Sequence, residues 1–189
     1  MRPDFFEELL AVPQKLNKNG AMKIEIKFTW RNLGILLFLF ILPNLVLAEH
    51  VDLVLIEKAE RRLTLMNGEK KIAEYSVALG GSPVGPKRCQ GDSKTPEGTY
   101  KIQSRNDKSS YHRSLKVSYP NETDRLNAKN LGCSPGGDIM IHGLPNGKGF
   151  IGAAHRLHDW TLGCIAVTDS EIEEIWRLVT NGTVVKIVP

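Results

Sequence analysis

The apolar positions of this chain fall mostly in short runs or at every second residue, the pattern of strands, and clearly only once at helical spacing. Residues 51–56 (VDLVLI) are β-branched and apolar and read as a strand. Residues 61–66 alternate, Asn67-Gly68 follows, and alternation resumes over 71–79. Asn-Gly between two such runs predicts a tight hairpin in which both turn residues take positive φ. Residues 80–91 are a loop rich in Gly and Pro. Gly91-Asp92-Ser93-Lys94-Thr95-Pro96-Glu97-Gly98 is a second turn-forming stretch, leading into a strand at 99–104. Residues 114–119 form another strand, stopped by Pro120. The polar stretch 121–131 holds a short helix with Leu126 and Leu131 facing inward.

Short buried strands follow at 139–141 and 165–167. Thr168-x-x-Glu171 is a capping box, and Ile172, Ile175, Trp176 and Val179 lie at i, i+3, i+4 and i+7, which predicts an amphipathic helix of about ten residues. Asn181-Gly182 ends it, and 183–188 is a final strand. The fold class is therefore mainly β, a sandwich or partly open barrel with one clear amphipathic helix near the C-terminus. No internal repeat or low-complexity segment interrupts it.

The N-terminus departs from this pattern. Residues 33–47 (LGILLFLFILPNLVL) are an apolar run of about 15 residues broken by Pro43 and Asn44, short of the ~20 that a spanning helix needs. Lys23, Lys27 and Arg31 precede it and Val46-Leu47-Ala48 follows, which reads as a secretory signal cleaved after Ala48. A start at Met22 gives that signal normal proportions, so 1–21 reads as an extension. The alternatives are an uncleaved membrane anchor and a core helix; the absence of a polar face counts against the second. The expected organisation is an N-terminal extension and signal over 1–48 and one exported domain over 49–189. Cleavage would remove six basic and four acidic residues, leaving 19 and 17 and a net charge of +2 in place of +4. Charges that small and interspersed argue against a nucleic-acid binder. The three cysteines, Cys89, Cys133 and Cys164, all lie in the exported part, so an oxidising compartment leaves at least one unpaired. Cys164 is the candidate free thiol. Cys89 and Cys133 either pair or stand as isolated small loop residues.

Candidate chemistry gathers over 139–167. A histidine, His142, ends one apolar run with Gly143 behind it, and Thr161-Leu162-Gly163-Cys164 opens another. A thiol attacks as thiolate and needs a base, which His142 would supply if folding brings the two runs together. Gly143, or a neighbouring carbonyl, would hold the second ring nitrogen and fix the tautomer. Gly163 allows close approach of a backbone N–H to a carbonyl, so the N–H groups around Cys164 would form an oxyanion hole. The bland reading of a cysteine before an apolar strand is a core residue. A zinc site built from His155, His158, Cys164 and Asp138 is the other alternative, disfavoured because the surrounding glycines do not suit the helix on which histidines i, i+4 apart bind zinc. Trp160 and Phe150 read as packing residues rather than sugar platforms.

Together, Ile141-His142-Gly143 and Thr161-Leu162-Gly163-Cys164-Ile165 resemble the catalytic motif of the YkuD-type L,D-transpeptidases. Gly91-Asp92-x-Lys94-Thr95-Pro96-Glu97-Gly98 resembles the loop entering that family's middle strands, and the likeness covers roughly residues 50–188. It implies a monomeric β-rich domain in the periplasm or cell envelope, working in cell-wall biogenesis and cell shape. Peptidoglycan stem peptides would be its partners, with wall-linked protein as a further possibility, and neither metal nor cofactor is needed. Cys164 would attack the diaminopimelate–D-Ala carbonyl and pass the thioester to an amine or to water. His142 would be the base, Gly143 its neighbour, Thr161 the support of the nucleophile loop, and Gly163 with Cys164 the oxyanion donors. Arg88, His155, Arg156, His158 and Trp160 are candidate substrate contacts. Two departures are visible: Leu162 stands where many members carry a second histidine, and the spacing from His142 to Cys164 is slightly long. An exported wall-binding module without activity, or a secreted peptidase of ordinary proteins, are the competing readings.

Overall fold

The computed structural model describes residues 50–189, together with a two-residue antiparallel strand pair, Lys15–Leu16 with Met22–Lys23. Contacts divide the chain into two compact units, Met1–Leu47 and Ala48–Pro189. The apolar run 33–47 and the cleavage position at Ala48 lie outside the described residues. Among the described residues, no helix is long and apolar enough to cross a membrane.

Eight strands form one sheet in the order β3-β2-β1-β8-β4-β5-β6-β7. They are β1 (Leu53–Glu57), β2 (Arg62–Asn67), β3 (Lys70–Ser76), β4 (Gly98–Ser109), β5 (His112–Val117), β6 (Met140–His142), β7 (Ile165–Ala166) and β8 (Val184–Val188). Two pairs are parallel, β1 with β8 and β6 with β7; the rest are antiparallel. Beyond β3 the chain reaches the opposite edge, where Ala78 and Ala166 exchange backbone hydrogen bonds of 3.0 and 2.8 Å. The sheet is thus curled on itself, a partly open barrel.

Its interior follows from the alternation in the sequence. Val54 and Ile56 of β1, Leu63 and Leu65 of β2, and Val185 and Ile187 of β8 are buried; Leu55 and Lys186 between them are more exposed, while Thr64 is buried as well. Helix α2 (Asp169–Leu178) lays Ile172 and Ile175 on this core, both fully buried, each worth ~2 kcal/mol of apolar transfer. Its start is the expected capping box: Thr168 accepts from the Glu171 N–H, and Glu171 accepts from the Thr168 N–H.

Three local expectations are corrected. The hairpin turn is Gly68-Glu69, since Asn67 pairs with Lys70, and positive φ occurs at Gly68 (56°) and not at Asn67. One glycine at the first central position satisfies a type II′ turn, so Asn67 is left to close the ladder. Helix α1 (Glu122–Asn130) forms, capped by Asn121 and Asp124, but Leu126 and Leu131 are exposed and Ala128 is the residue it buries. Its anchorage is polar as well as apolar, with Tyr100 Oη 3.1 Å from Asp124 Oδ2. The alternation assigned to 99–104 also stops short of the real strand, because β4 runs to Ser109 with two register irregularities.

Candidate active site

Strands β6 and β7 explain how two distant motifs meet. They pair in parallel with Ile141 opposite Ile165 and His142 opposite Ala166. Ile141 and Ile165 point into the core, so period-two alternation turns His142 and Cys164 to the other face. Cys164 is two residues before the position facing His142, which by ordinary strand dimensions places the two Cα atoms roughly 8 Å apart.

His142 is 4% exposed, and its Nδ1 lies 2.7 Å from Gly143 O. A carbonyl can only accept, so Nδ1 carries the proton and Nε2 is left with its lone pair. Burial pushes the pKa of the ring down, and the Gly143 carbonyl only partly opposes this; the imidazole is a neutral base. Cys164 is the free cysteine and is partly buried. Its Sγ donates to Asp138 O at 3.4 Å, not to His142. Burial pushes the thiol pKa up; the Met140 N–H and the Lys87 ammonium pull it down, and the Asp138 carboxylate adds to the rise. The resting pair is a thiol and a neutral imidazole.

The turn that leads into Cys164 is braced by Thr161, which is buried. Its hydroxyl donates to Cys164 O at 2.8 Å and accepts from the Gly163 N–H at 3.1 Å. Gly163 has φ of +127°, and a Cβ there would lie 2.5 Å from Lys94 O, so only glycine fits. Its N–H donates to the Thr161 hydroxyl.

The loop behind Gly163 is the Gly91–Gly98 motif. Asp92 accepts from the N–H groups of Arg88, Cys89 and Lys94 at 2.8 to 3.1 Å and from Lys87 Nζ at 2.8 Å. Burial pushes this carboxyl up, but Lys87 and the three N–H groups outweigh it and hold the pKa at about 2. With an unfolded value of about 3.9, the depressed pKa contributes about 2 kcal/mol of stability above pH ~4, lost as the pH falls toward 2. Asp92→Asn is therefore expected to lower stability by about that amount at pH 7 and by much less near pH 2, as read by urea denaturation at both pH values. Thr95 is fully buried and accepts from the Gly80 N–H at 3.0 Å, and Lys58, also buried, donates to Gly85 O, Thr95 O and Glu97. Cys89 and Cys133 form a disulfide with Cα atoms 5.8 Å apart, tying this loop to the end of α1.

The predicted substrate contacts separate. Trp160 stands edge-on to His142, centroids 5.9 Å apart. His155 is buried and its Nδ1 accepts from Trp160 Nε1 at 3.4 Å. Arg156 is engaged by Glu171 of α2. His158 is exposed with no polar partner among the described residues. Arg88 is exposed beside a cavity of about 300 Å³ lined also by Pro86, Cys89 and Lys94. Phe150, expected to pack, is 83% exposed. The stretch around it is not a plain loop: Gly149–Leu157 makes 3₁₀ turns kinked at Gly152. Among the described residues, no three His, Cys, Asp or Glu side chains gather as metal ligands. The residue missed from sequence is Tyr111, in the β4–β5 turn, with its ring 4.6 Å from that of His142. A lone aromatic in the polar stretch QSRNDKSSYHR was its one signal.

A family model described as the YkuD L,D-transpeptidase catalytic domain matches residues 52–187. The chain belongs to this family. Among curated relatives of the L,D-transpeptidases it is similar to YafK of Escherichia coli K12, a protein named for the family, at 34% identity over 116 residues, 60% of this chain and 37% of YafK. Among solved structures it resembles the helical cell shape determining protein Pgp2 of Campylobacter jejuni (TM-score 0.57, 29% identity, 72% of this chain and 47% of that one). It also resembles Bd1075 of Bdellovibrio bacteriovorus (TM-score 0.52, 26% identity, 76% of this chain and 50% of that one). The chain thus spans half or less of the length of these relatives. The mainly β, partly open barrel architecture expected of an L,D-transpeptidase domain is the one found.

Proposed function

We propose that this L,D-transpeptidase domain is an active cysteine acyltransferase of the cell envelope, acting on peptidoglycan stem peptides. The observation that carries the reading is the state of His142: Nδ1 is bound to Gly143 O, and Nε2 is left as a base on the sheet face that also bears Cys164. In the first step Nε2 takes the Sγ proton as sulfur adds to the carbonyl carbon between diaminopimelate and D-alanine. The C–N bond then breaks, and the proton passes to the departing D-alanine amine, leaving a thioester. An acceptor amine attacks that thioester, gives its proton to Nε2, and releases the thiolate. With the Gly163 N–H occupied, the Cys164 N–H is the oxyanion donor we assign.

The likeness to a cell-shape determinant supports a role in shaping the wall and an address outside the cytoplasm. The test is mass analysis after incubating residues 49–189 with disaccharide-tetrapeptide muropeptides. Loss of D-alanine with cross-linked dimers is the expected result. Loss of D-alanine alone would make water the acceptor, and release of protein from sacculi would make wall-linked protein the substrate. No product from any of these would overturn the enzymatic reading in favour of a wall-binding module.

A further inference from the structure

His142 is flanked by rings from separate segments. Tyr111, from the turn between β4 and β5, lies at 4.6 Å and 51°. Trp160, ahead of the nucleophile turn, stands edge-on at 5.9 Å and 68°. Tyr111 and Trp160 are themselves near-parallel at 22°, 6.4 Å apart. Behind Trp160, His155 meets the indole at 86° and accepts its N–H. An indole nitrogen only donates, so His155 holds Trp160 through an unprotonated Nδ1. The proton of neutral His155 therefore sits on Nε2, a buried atom with no partner among the described residues.

A buried N–H left without a partner carries a free-energy cost. That cost is tolerated here beside a ring whose orientation it fixes. Tyr111, by contrast, is 39% exposed, a position at which an aromatic is not needed to complete the core. Neither feature has a use in the acyl-transfer scheme until it is connected with His142.

We propose that Tyr111 and the His155–Trp160 pair are positioning residues that hold the His142 imidazole in place and keep water from it. The inference rests on the reading of His142 as the base, and extends it to three residues that touch neither thiol nor proton in flight. With Tyr111 and Trp160 only 6.4 Å from each other, the two rings lie on one flank of the imidazole and shield that flank from water, and a drier imidazole disfavours its charged form. Other ionisable groups on the surrounding elements are His112 and Arg113, both paired with Glu173; Arg156, paired with Glu171; Asp159, paired with Arg61; Asp169, accepting from the Leu144 N–H; Asp138, paired with Lys116; and Cys164, whose thiol donates to the Asp138 backbone carbonyl.

The experiment is an NMR titration of the His142 Cε1–H signal in the intact protein, with no substrate present. Tyr111→Ala and His155→Ala are each expected to move the His142 midpoint upward, by about one pH unit for Tyr111→Ala. Tyr111→Phe keeps the ring, and His155→Asn keeps an acceptor near the place of Nδ1, so both are expected to titrate with the wild-type midpoint. Tyr111→Leu, apolar but not aromatic, serves if Tyr111→Ala fails to fold, and is expected to give a smaller upward shift. A wild-type midpoint in Tyr111→Ala and His155→Ala, or equal shifts in the alanine and conservative variants, would overturn the proposal. Because the titration reads the ring directly, an enzyme with no muropeptide activity but with the expected shifts would sink the functional reading and leave this one standing.

Discussion

Cys164→Ala is expected to leave no measurable acyl transfer, and His142→Ala to retain about one part in a thousand of the wild-type rate at neutral pH. In the proposed scheme the first removes the sulfur that would form the thioester. The second removes a base whose contribution is commonly 10²–10⁴-fold. His142→Ala should recover activity at high pH, where Cys164 ionises unaided, because burial raises its pKa but does not abolish ionisation. The wild-type rate should fall with acid through a midpoint below the ordinary imidazole value, since burial lowers the His142 pKa and protonation destroys the base. Rates of D-alanine release from pH 4 to 10, together with mass mapping of an iodoacetamide adduct, decide the matter. A label on Cys164 that forms as fast in His142→Ala as in wild type at pH 7 would remove His142 from the mechanism.

The second large effect concerns stability. Cys89→Ser with Cys133→Ser opens a loop closed across 44 positions, which chain entropy values at about 4 kcal/mol and experience with native disulfides at about 2–5. For a domain of this size that is a fall in Tm on the order of 10 °C. The expected result is a lower midpoint for the double variant, matched by wild type in dithiothreitol. The effect should reach the site, because the bridged loop carries Asp92, and Lys94 O backs directly onto Gly163. Cys164 alkylation is therefore expected to change in rate along with the loss of stability. Equal midpoints with and without reductant would show that the bridge carries none of the stability.

Much of this was legible in the residues. The strands of the barrel core were readable because Val54, Ile56, Leu63, Leu65, Val185 and Ile187 obey the period of the pleat, and α2 because its apolar stripe and cap agree. The pairing of Cys89 with Cys133 stood open until their loops were placed. Leu126 and Leu131 misled because a short helix tied down at its ends need bury only Ala128, leaving larger residues outside. The far half of β4 and Tyr111 were invisible because Arg105–Ser109 carries no apolar alternation; ladder bonds to β5 hold it. The supporting role of Thr161 was legible from the motif; those of Asp92 and His155 were not, because their partners are near in sequence but the turns that aim Asp92 at the N–H groups of Arg88, Cys89 and Lys94, and His155 at Trp160, are not marked by spacing along the chain.

The bond between Ala78 and Ala166 has one more consequence, for how such a domain tolerates changes in length. β7 holds two residues, anchored to β6 on one side and to Ala78 on the other. The thiol is thereby set by a splice between the two ends of the sheet. A residue gained or lost between Ser76 and Ala78 would reverse the pleat at the splice and turn the bonding groups of Ala78 away from Ala166. The Gly68-Glu69 turn, remote from that splice, can lengthen without moving it. The site therefore depends on segment lengths at a seam that contains none of its reactive atoms.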